Sequence, residues 1–142
     1  MEDILAPFHL AFPVKNLIDT KVFYTEILGC SLGRTNAKWI DFNFYGHQIT
    51  AHLSPESFIK KDVANIVDGK NVPVRHFGLI LNWLDWHNIK DKLLNKKVTF
   101  IIDPYVRFKG QKGEQATLFI ADPSFNGIEL KSFKEKKMIF SA

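Results

Sequence analysis

Arg75-His76-Phe77-Gly78-Leu79-Ile80-Leu81, near the middle of the chain, alternates like a strand. Phe77, Leu79 and Leu81 fall on one face, and His76, Gly78 and Ile80 on the other, because side chains alternate along extended backbone. A helical segment follows, opening near Trp83-Leu84-Asp85. The same order occurs near the start: Phe8-His9-Leu10-Ala11-Phe12-Pro13-Val14, then Asn16-Leu17-Ile18-Asp19. His9 and His76 lie 67 positions apart in 142 residues, about half the chain, which points to one module used twice.

Working outward, Pro13 places the end of the first strand at a sheet edge or bulge. Asn16 suits the N-cap of a helix running to about Leu28, with Leu17, Val22, Phe23, Ile27 and Leu28 as its apolar positions and Gly29 as its stop. Ser31 to Arg34 reads as a short strand or a turn. Lys38 to Tyr45 alternates, with Ile40, Phe42 and Phe44 opposite Trp39, Asp41, Asn43 and Tyr45; His47 to Leu53 alternates again, with Gln48, Thr50 and His52 on one face. Module 1 thus spans about 7–55 as strand, helix and three strands. Residues 56–74 read as a linker or flap, with a helical turn at 56–60 and a loop around Asp68-Gly69-Lys70.

Module 2 spans about 75–133. Its helix runs to about Lys97 with Trp86, Ile89, Leu93 and Leu94 as the apolar stripe, and Val98 to Ile102 is a strand that Asp103-Pro104 ends. Tyr105 to Gly113 reads as a flexible loop. Ala116 to Ala121 and Gly127 to Phe133 form a hairpin, and 134–142 is a charged tail. The whole chain, 1–142, is read as one domain of class α+β.

Composition narrows the function classes. A 46% hydrophobic fraction with 13 Phe describes a folded, well-filled protein. The net charge of +4 is spread over scattered lysines and short runs such as Lys60-Lys61 and Lys96-Lys97, without a basic helix or an aromatic-interleaved stripe, so no nucleic acid is expected as a partner. The one cysteine, Cys30, excludes an internal disulfide framework and fits a reducing compartment. No basic-then-apolar leader and no membrane-spanning apolar run is evident, so the expected location is cytoplasmic, with no membrane partner.

A strand-helix-strand-strand-strand unit covers one sheet face with its helix and must bury the other elsewhere. Two such modules can pair their sheets to enclose a cavity lined by the polar faces, which carry His9, His52, His76 and Glu129. The repeat equates His9 with His76 and His52 with Glu129. Imidazoles with a carboxylate are divalent-metal chemistry, suiting Fe(II), Mn(II), Ni(II) or Zn(II), and a facial set with open positions suits Fe(II) with dioxygen.

His9 to Val14, Phe23-Tyr24 to Leu28-Gly29, Arg75 to Gly78, and Asp122-Pro123 to Asn126-Gly127-Ile128-Glu129-Leu130 resemble the vicinal-oxygen-chelate superfamily of glyoxalases, bleomycin-resistance proteins and extradiol dioxygenases. The resemblance covers roughly Pro7 to Phe133. Trp39-Ile40-Asp41-Phe42 to Gly46-His47-Gln48 and Gly113 to Thr117 look most like small predicted extradiol-type dioxygenases. It implies paired βαβββ modules, a divalent metal, and a substrate that chelates through neighbouring oxygens; homodimers are common in such folds.

By position, His9, His76 and Glu129 match the superfamily's metal set. His52 matches the place where glyoxalase I usually carries a glutamate, and is either a fourth ligand or an acid–base residue beside the metal. Asp41 lines the cavity or orients a histidine or arginine. Arg107 and Glu114 either bind an anionic substrate or form a surface ion pair. Trp39, Tyr45 and Phe119 shape an aromatic pocket or pack the core. His47 and His87 are not site candidates. The resulting expectation is an Fe(II)-dependent ring-cleaving dioxygenase acting on a small catechol-like substrate. The alternatives are a glyoxalase-like lyase or isomerase, and a metal-free protein that sequesters a small molecule.

Overall fold

A computed structural model describes residues 5–58, 64–67 and 69–141. The first four residues of the expected lead-in, the end of the turn expected at 56–60, Asp68 of the expected loop and Ala142 lie outside the described residues. The chain divides into two compact units, Met1–Lys61 and Asp62–Ala142.

The first unit holds β1 (His9–Val14), α1 (Leu17–Val22), β2 (Ser31–Thr35), β3 (Trp39–Phe44) and β4 (His47–Leu53). Its sheet has the order β1-β4-β3-β2, with β1 parallel to β4 and the other pairs antiparallel. Pro13 therefore lies on an edge strand, as its missing N–H requires. Asn16 caps α1 by accepting from the Ile18 and Asp19 N–H groups. The helix expected to run on to Leu28 instead changes into a π-helical turn over Phe23–Ile27. The wider turn lets two consecutive aromatics, Phe23 and Tyr24, both enter the core. Tyr24 stacks on Phe42 at 5.0 Å and meets Phe12 at 5.5 Å. Gly29 then leaves the helix at φ +78°, a conformation that costs glycine little. A 3-10 turn, Pro55–Phe58, follows β4.

The second unit opens with a two-stranded antiparallel hairpin, β5 (Ala64–Val67) and β6 (Lys70–Pro73), where the sequence had suggested an unpatterned linker. Val72 anchors it in a buried cluster with Ile102 and Phe119. The main sheet comprises β7 (His76–Leu81), β8 (Phe100–Arg107), β9 (Gln115–Ala121) and β10 (Gly127–Phe133), in the order β7-β10-β9-β8 with β7 parallel to β10. Helix α2 (Trp83–Asn95) is capped by Asn82, which accepts from the Asp85 N–H. It buries Trp86, Ile89 and Leu93, and the Trp86 indole N–H donates to the Leu130 carbonyl at 2.8 Å. Leu94, expected in this stripe, is exposed, because one residue past Leu93 turns it off the buried face.

Each unit is thus a βαβββ module, and the class is α+β. One strand end differs from expectation: Asp103-Pro104 does not stop β8, which continues to Arg107. β8 is an edge strand whose pairing with β9 shifts register between Phe100 and Ile102 and again between Ile102 and Tyr105. A proline is tolerated where the ladder is already broken and one edge is unpaired. Arg107 consequently belongs to a strand, not to a flexible loop. In the expected tail, Lys136–Met138 forms one 3-10 turn and Phe140 is fully exposed. Among the described residues no helix is long and apolar enough to cross a membrane.

Candidate functional site

In the second unit, β7 and β10 run parallel with His76 beside Gly127 and Gly78 beside Glu129. Phe77, Leu79, Ile128 and Leu130 point to the other face, where Ile128 and Leu130 are completely buried. His76 and Glu129 therefore share the face away from that core, with side chains 31% and 25% exposed. This is enough shielding to strengthen an electrostatic contact and enough opening to admit a ligand.

The His76 Nδ1 lies 2.9 Å from the Pro73 carbonyl oxygen. A carbonyl can only accept, so Nδ1 carries a hydrogen, and the tautomer this selects has its lone pair on Nε2. That Nε2 stands 3.4 Å from Glu129 Oε2. Two groups bound to one cation by bonds of ~2.0–2.2 Å are spaced by roughly 3.0–3.5 Å. Glu129 Oε1 accepts from the Thr117 hydroxyl at 3.1 Å, which orients the carboxylate. An imidazole oriented by a backbone carbonyl and a carboxylate oriented by a hydroxyl are what a divalent metal's ligands require of their surroundings. The Phe119 ring, 3% exposed, meets the His76 ring edge-on at 4.8 Å. Gly127 makes room for both: a Cβ there would lie 2.9 Å from Phe119 Cε1 and 3.2 Å from His76 Cβ. Sequence reasoning gives neither Gly127 nor Thr117 a role, although both stand in stretches that carry the resemblance.

In the first unit, the β1–β4 register places His9 beside Gln48 and Pro13 beside His52. His9 and His52 share a sheet face but are offset by four residues, about 13 Å at the usual strand rise. The register also corrects the equivalence drawn from the repeat. In the second unit the carboxylate stands two residues beyond the partner of its histidine; in the first, that place is Thr50, and His52 lies two residues further. Thr50 donates to Asp41 Oδ1 at 2.6 Å, and Arg34 Nε meets Asp41 Oδ2 at 3.4 Å. Asp41 is 5% exposed, so these two donors compensate its burial. The Arg34 guanidinium lies over the Trp39 ring at 5.5 Å. Together with His9, Gln48 and His52, these residues line an open pocket of about 220 Å³. Tyr45 is outside it, in the β3–β4 turn at φ +51°.

Arg107 and Glu114 take separate places. Arg107 pairs with Gln115 across the β8–β9 edge and lies over the Phe108 ring. Glu114 is 8% exposed and clips the loop between β8 and β9: it accepts from the Gly110 N–H at 2.7 Å and pairs with Lys134 at 3.4 Å. The Gly110 hydrogen bond, more than the Lys134 and Lys109 charges, holds the Glu114 carboxyl below the usual carboxylate range, while desolvation opposes it. A lowered folded-state pKa stabilises the fold above the unfolded carboxylate range, and that contribution is lost as pH falls through the lowered value. The stability gap between the native chain and Glu114→Gln is therefore expected to be full at pH 7 and to shrink on acidification. Paired thermal melts across pH 7 to 3 measure it; a gap independent of pH contradicts the clip.

Among the described residues, no set of three His, Cys, Asp or Glu side chains gathers at metal-ligand distance. In the second unit, His76 Nε2 and Glu129 Oε2 have the spacing of two ligands on one ion.

The chain matches the family model of the glyoxalase/bleomycin resistance protein/dioxygenase superfamily over residues 7–130. A glyoxalase/bleomycin resistance protein/dioxygenase from Alicyclobacillus acidocaldarius is 29% identical, with a TM-score of 0.78 over 99% of this chain and 100% of that one. FosX, a genomically encoded fosfomycin resistance protein from Listeria monocytogenes, aligns over 97% of this chain and 98% of its own at 15% identity and TM-score 0.66. A lactoylglutathione lyase from Agrobacterium tumefaciens aligns over 99% and 100% at 12% identity and TM-score 0.62. At such identities the last two show the fold alone. No protein of curated function matches in sequence. The family match spans nearly the whole chain and agrees with two βαβββ modules, so the chain belongs to the glyoxalase/bleomycin resistance protein/dioxygenase, or vicinal-oxygen-chelate, superfamily.

Proposed function

We propose that this is a metal-dependent enzyme in which His76, Glu129 and His9 hold one divalent cation, and that its substrate is a small molecule chelating through two neighbouring oxygens. The His76–Glu129 pair carries this reading: Nδ1 is committed to Pro73, and Nε2 faces a carboxylate oxygen 3.4 Å away. His9 enters on the superfamily's pattern, as the first-module counterpart of His76. Two imidazoles and a carboxylate suit Fe(II), Mn(II), Ni(II) or Zn(II). Thr50, at the place that answers to Glu129, supports a count of three protein ligands, since its hydroxyl is engaged by Asp41. A three-ligand face leaves positions for a bidentate substrate and dioxygen, so Fe(II) and the cleavage of a catechol-like ring are the metal and reaction we infer. When bound, such an ion polarises the substrate oxygens as a Lewis acid, and Fe(II) adds reactivity toward dioxygen.

The chain's own groups do the positioning. Pro73 fixes the His76 tautomer, Thr117 holds one oxygen of Glu129 while the other faces His76 Nε2, and Phe119 shields one side of the imidazole. His52, four residues beyond the His9 register, is assigned an acid–base role toward the substrate, not a ligand's. The family's homodimeric habit is carried over as part of this proposal.

Metal content after chelator-free purification, followed by oxygen uptake on a catechol panel with Fe(II), tests the reading. About one ion per chain and oxygen consumption are expected. A stoichiometric metal without oxygen uptake would leave the lyase or isomerase class. Absence of any metal would leave the sequestration alternative.

A further inference from the structure

The geometry of the first unit points to an oxyanion subsite: we propose that Arg34 grips a carboxylate or phosphonate of a small ligand in the pocket beside Trp39. Identifying that ligand as the substrate rests on the function proposed above; anion binding itself does not.

The local backbone aims Arg34 there. Leu32 pairs with Phe42 and Thr35 with Ile40, so Gly33 and Arg34 together face the single residue Asp41. Two residues opposite one is a β-bulge, a device that redirects a side chain. Gly33 permits it, since a Cβ there would press on Asp41 Cβ at 3.1 Å. The redirected guanidinium lies on the Trp39 face and uses only Nε on Asp41. The four N–H groups on its two Nη atoms make no hydrogen bond or ion pair among the described residues, and the side chain is 80% exposed.

The charge balance selects the occupant. Each Asp41 oxygen accepts a hydrogen bond, one from Thr50 and one from Arg34, and these donors offset the charge of the one carboxylate among the pocket's lining residues. Around the opening, the Arg34 Nη groups supply donors and the one fixed positive charge, and Gln48 and His52 can each add a donor. Arginine's planar fork matches carboxylate and phosphonate geometry in a way that lysine does not. At about 220 Å³ the pocket is below the ~300–1,000 Å³ typical of drug-sized ligands, so a small acid fits better than a tripeptide conjugate.

Nuclear magnetic resonance titration of chelator-treated protein tests this, with benzoate and methylphosphonate as probes and benzyl alcohol as the neutral control. At least one anion is expected to shift the Arg34 Nε–H and Trp39 Nε1–H signals saturably, and benzyl alcohol is not. Arg34→Gln should weaken that binding at least about tenfold, the loss of a charge-assisted fork. Arg34→Lys should restore it only in part. Unchanged melting temperatures would show that the variants fold. The proposal is overturned if neither anion moves these signals, or if Arg34→Gln binds as tightly as the native chain. Since the titration needs no metal, anion binding in a chain that holds no metal would sink only the enzyme reading. Metal binding without anion binding would sink only this one.

Discussion

Glu129→Ala is expected to lower the affinity for a divalent cation by at least about a hundredfold while leaving the module folded. Loss of a group that merely orients a ligand typically costs 10–100-fold, so loss of a ligand itself belongs at or beyond the top of that range. The side chain is a quarter exposed and touches Thr117 and His76 on the face away from the Ile128–Leu130 core, so its removal opens no buried void. Thr117→Ala, which frees the carboxylate without removing it, should cost about tenfold. Competition titration of Mn(II) or Zn(II) against a chromophoric chelator measures both variants, with circular dichroism as the folding control. Unchanged affinity in a folded Glu129→Ala chain would show that this carboxylate holds no metal.

Gly78→Ala is expected to be among the most damaging single substitutions in the second unit, destabilising it by roughly 3 kcal/mol or more. A Cβ on Gly78 would overlap the Glu129 carbonyl oxygen and lie 2.6 Å from its carbonyl carbon. The obstacle is backbone in a neighbouring strand, so relief requires separating β7 from β10 and breaking the parallel ladder that sets His76 beside Gly127. Flexible side chains can make way for an added methyl, but a paired carbonyl cannot. Urea unfolding should show a midpoint shift of this size, or insoluble protein. Native stability in the variant would mean that β7 and β10 are not so closely packed. This glycine links fold to site: the bare backbone that lets the strands meet also places the carboxylate next to the imidazole.

Much of this was legible in the chain. Histidine, alternating strand and capped helix recur at 67 residues because each module must repeat the same local physics, and the structure gives the same βαβββ order twice. Asn16, Gly29 and the hairpin through Asp122 to Asn126 behaved as their residue types dictate. Long-range pairing was not legible. Alternation along β4 shows that Thr50 and His52 share a face, but only the register with β1 says which of them answers to Glu129. Residues 64–73 have short strands with Val72 as their buried anchor, too little periodicity to outweigh a loop reading, although Asp68-Gly69 is a hairpin signal. Pro104 reads as a strand stop unless β8 is known to be a bulged edge. Arg34 is hidden in the sequence for the same reason: regular alternation does not reveal a bulge, and the bulge puts its guanidinium on the polar face.

The proposed ligand set can be located directly by anomalous diffraction from crystals of the chain loaded with Mn(II). One peak is expected within about 2.0–2.3 Å of His76 Nε2, a Glu129 carboxylate oxygen and a His9 ring nitrogen, with the remaining positions open to solvent or substrate. A well-ordered His76 and Glu129 joined directly with no anomalous peak between them, or a peak that excludes His9, would contradict it.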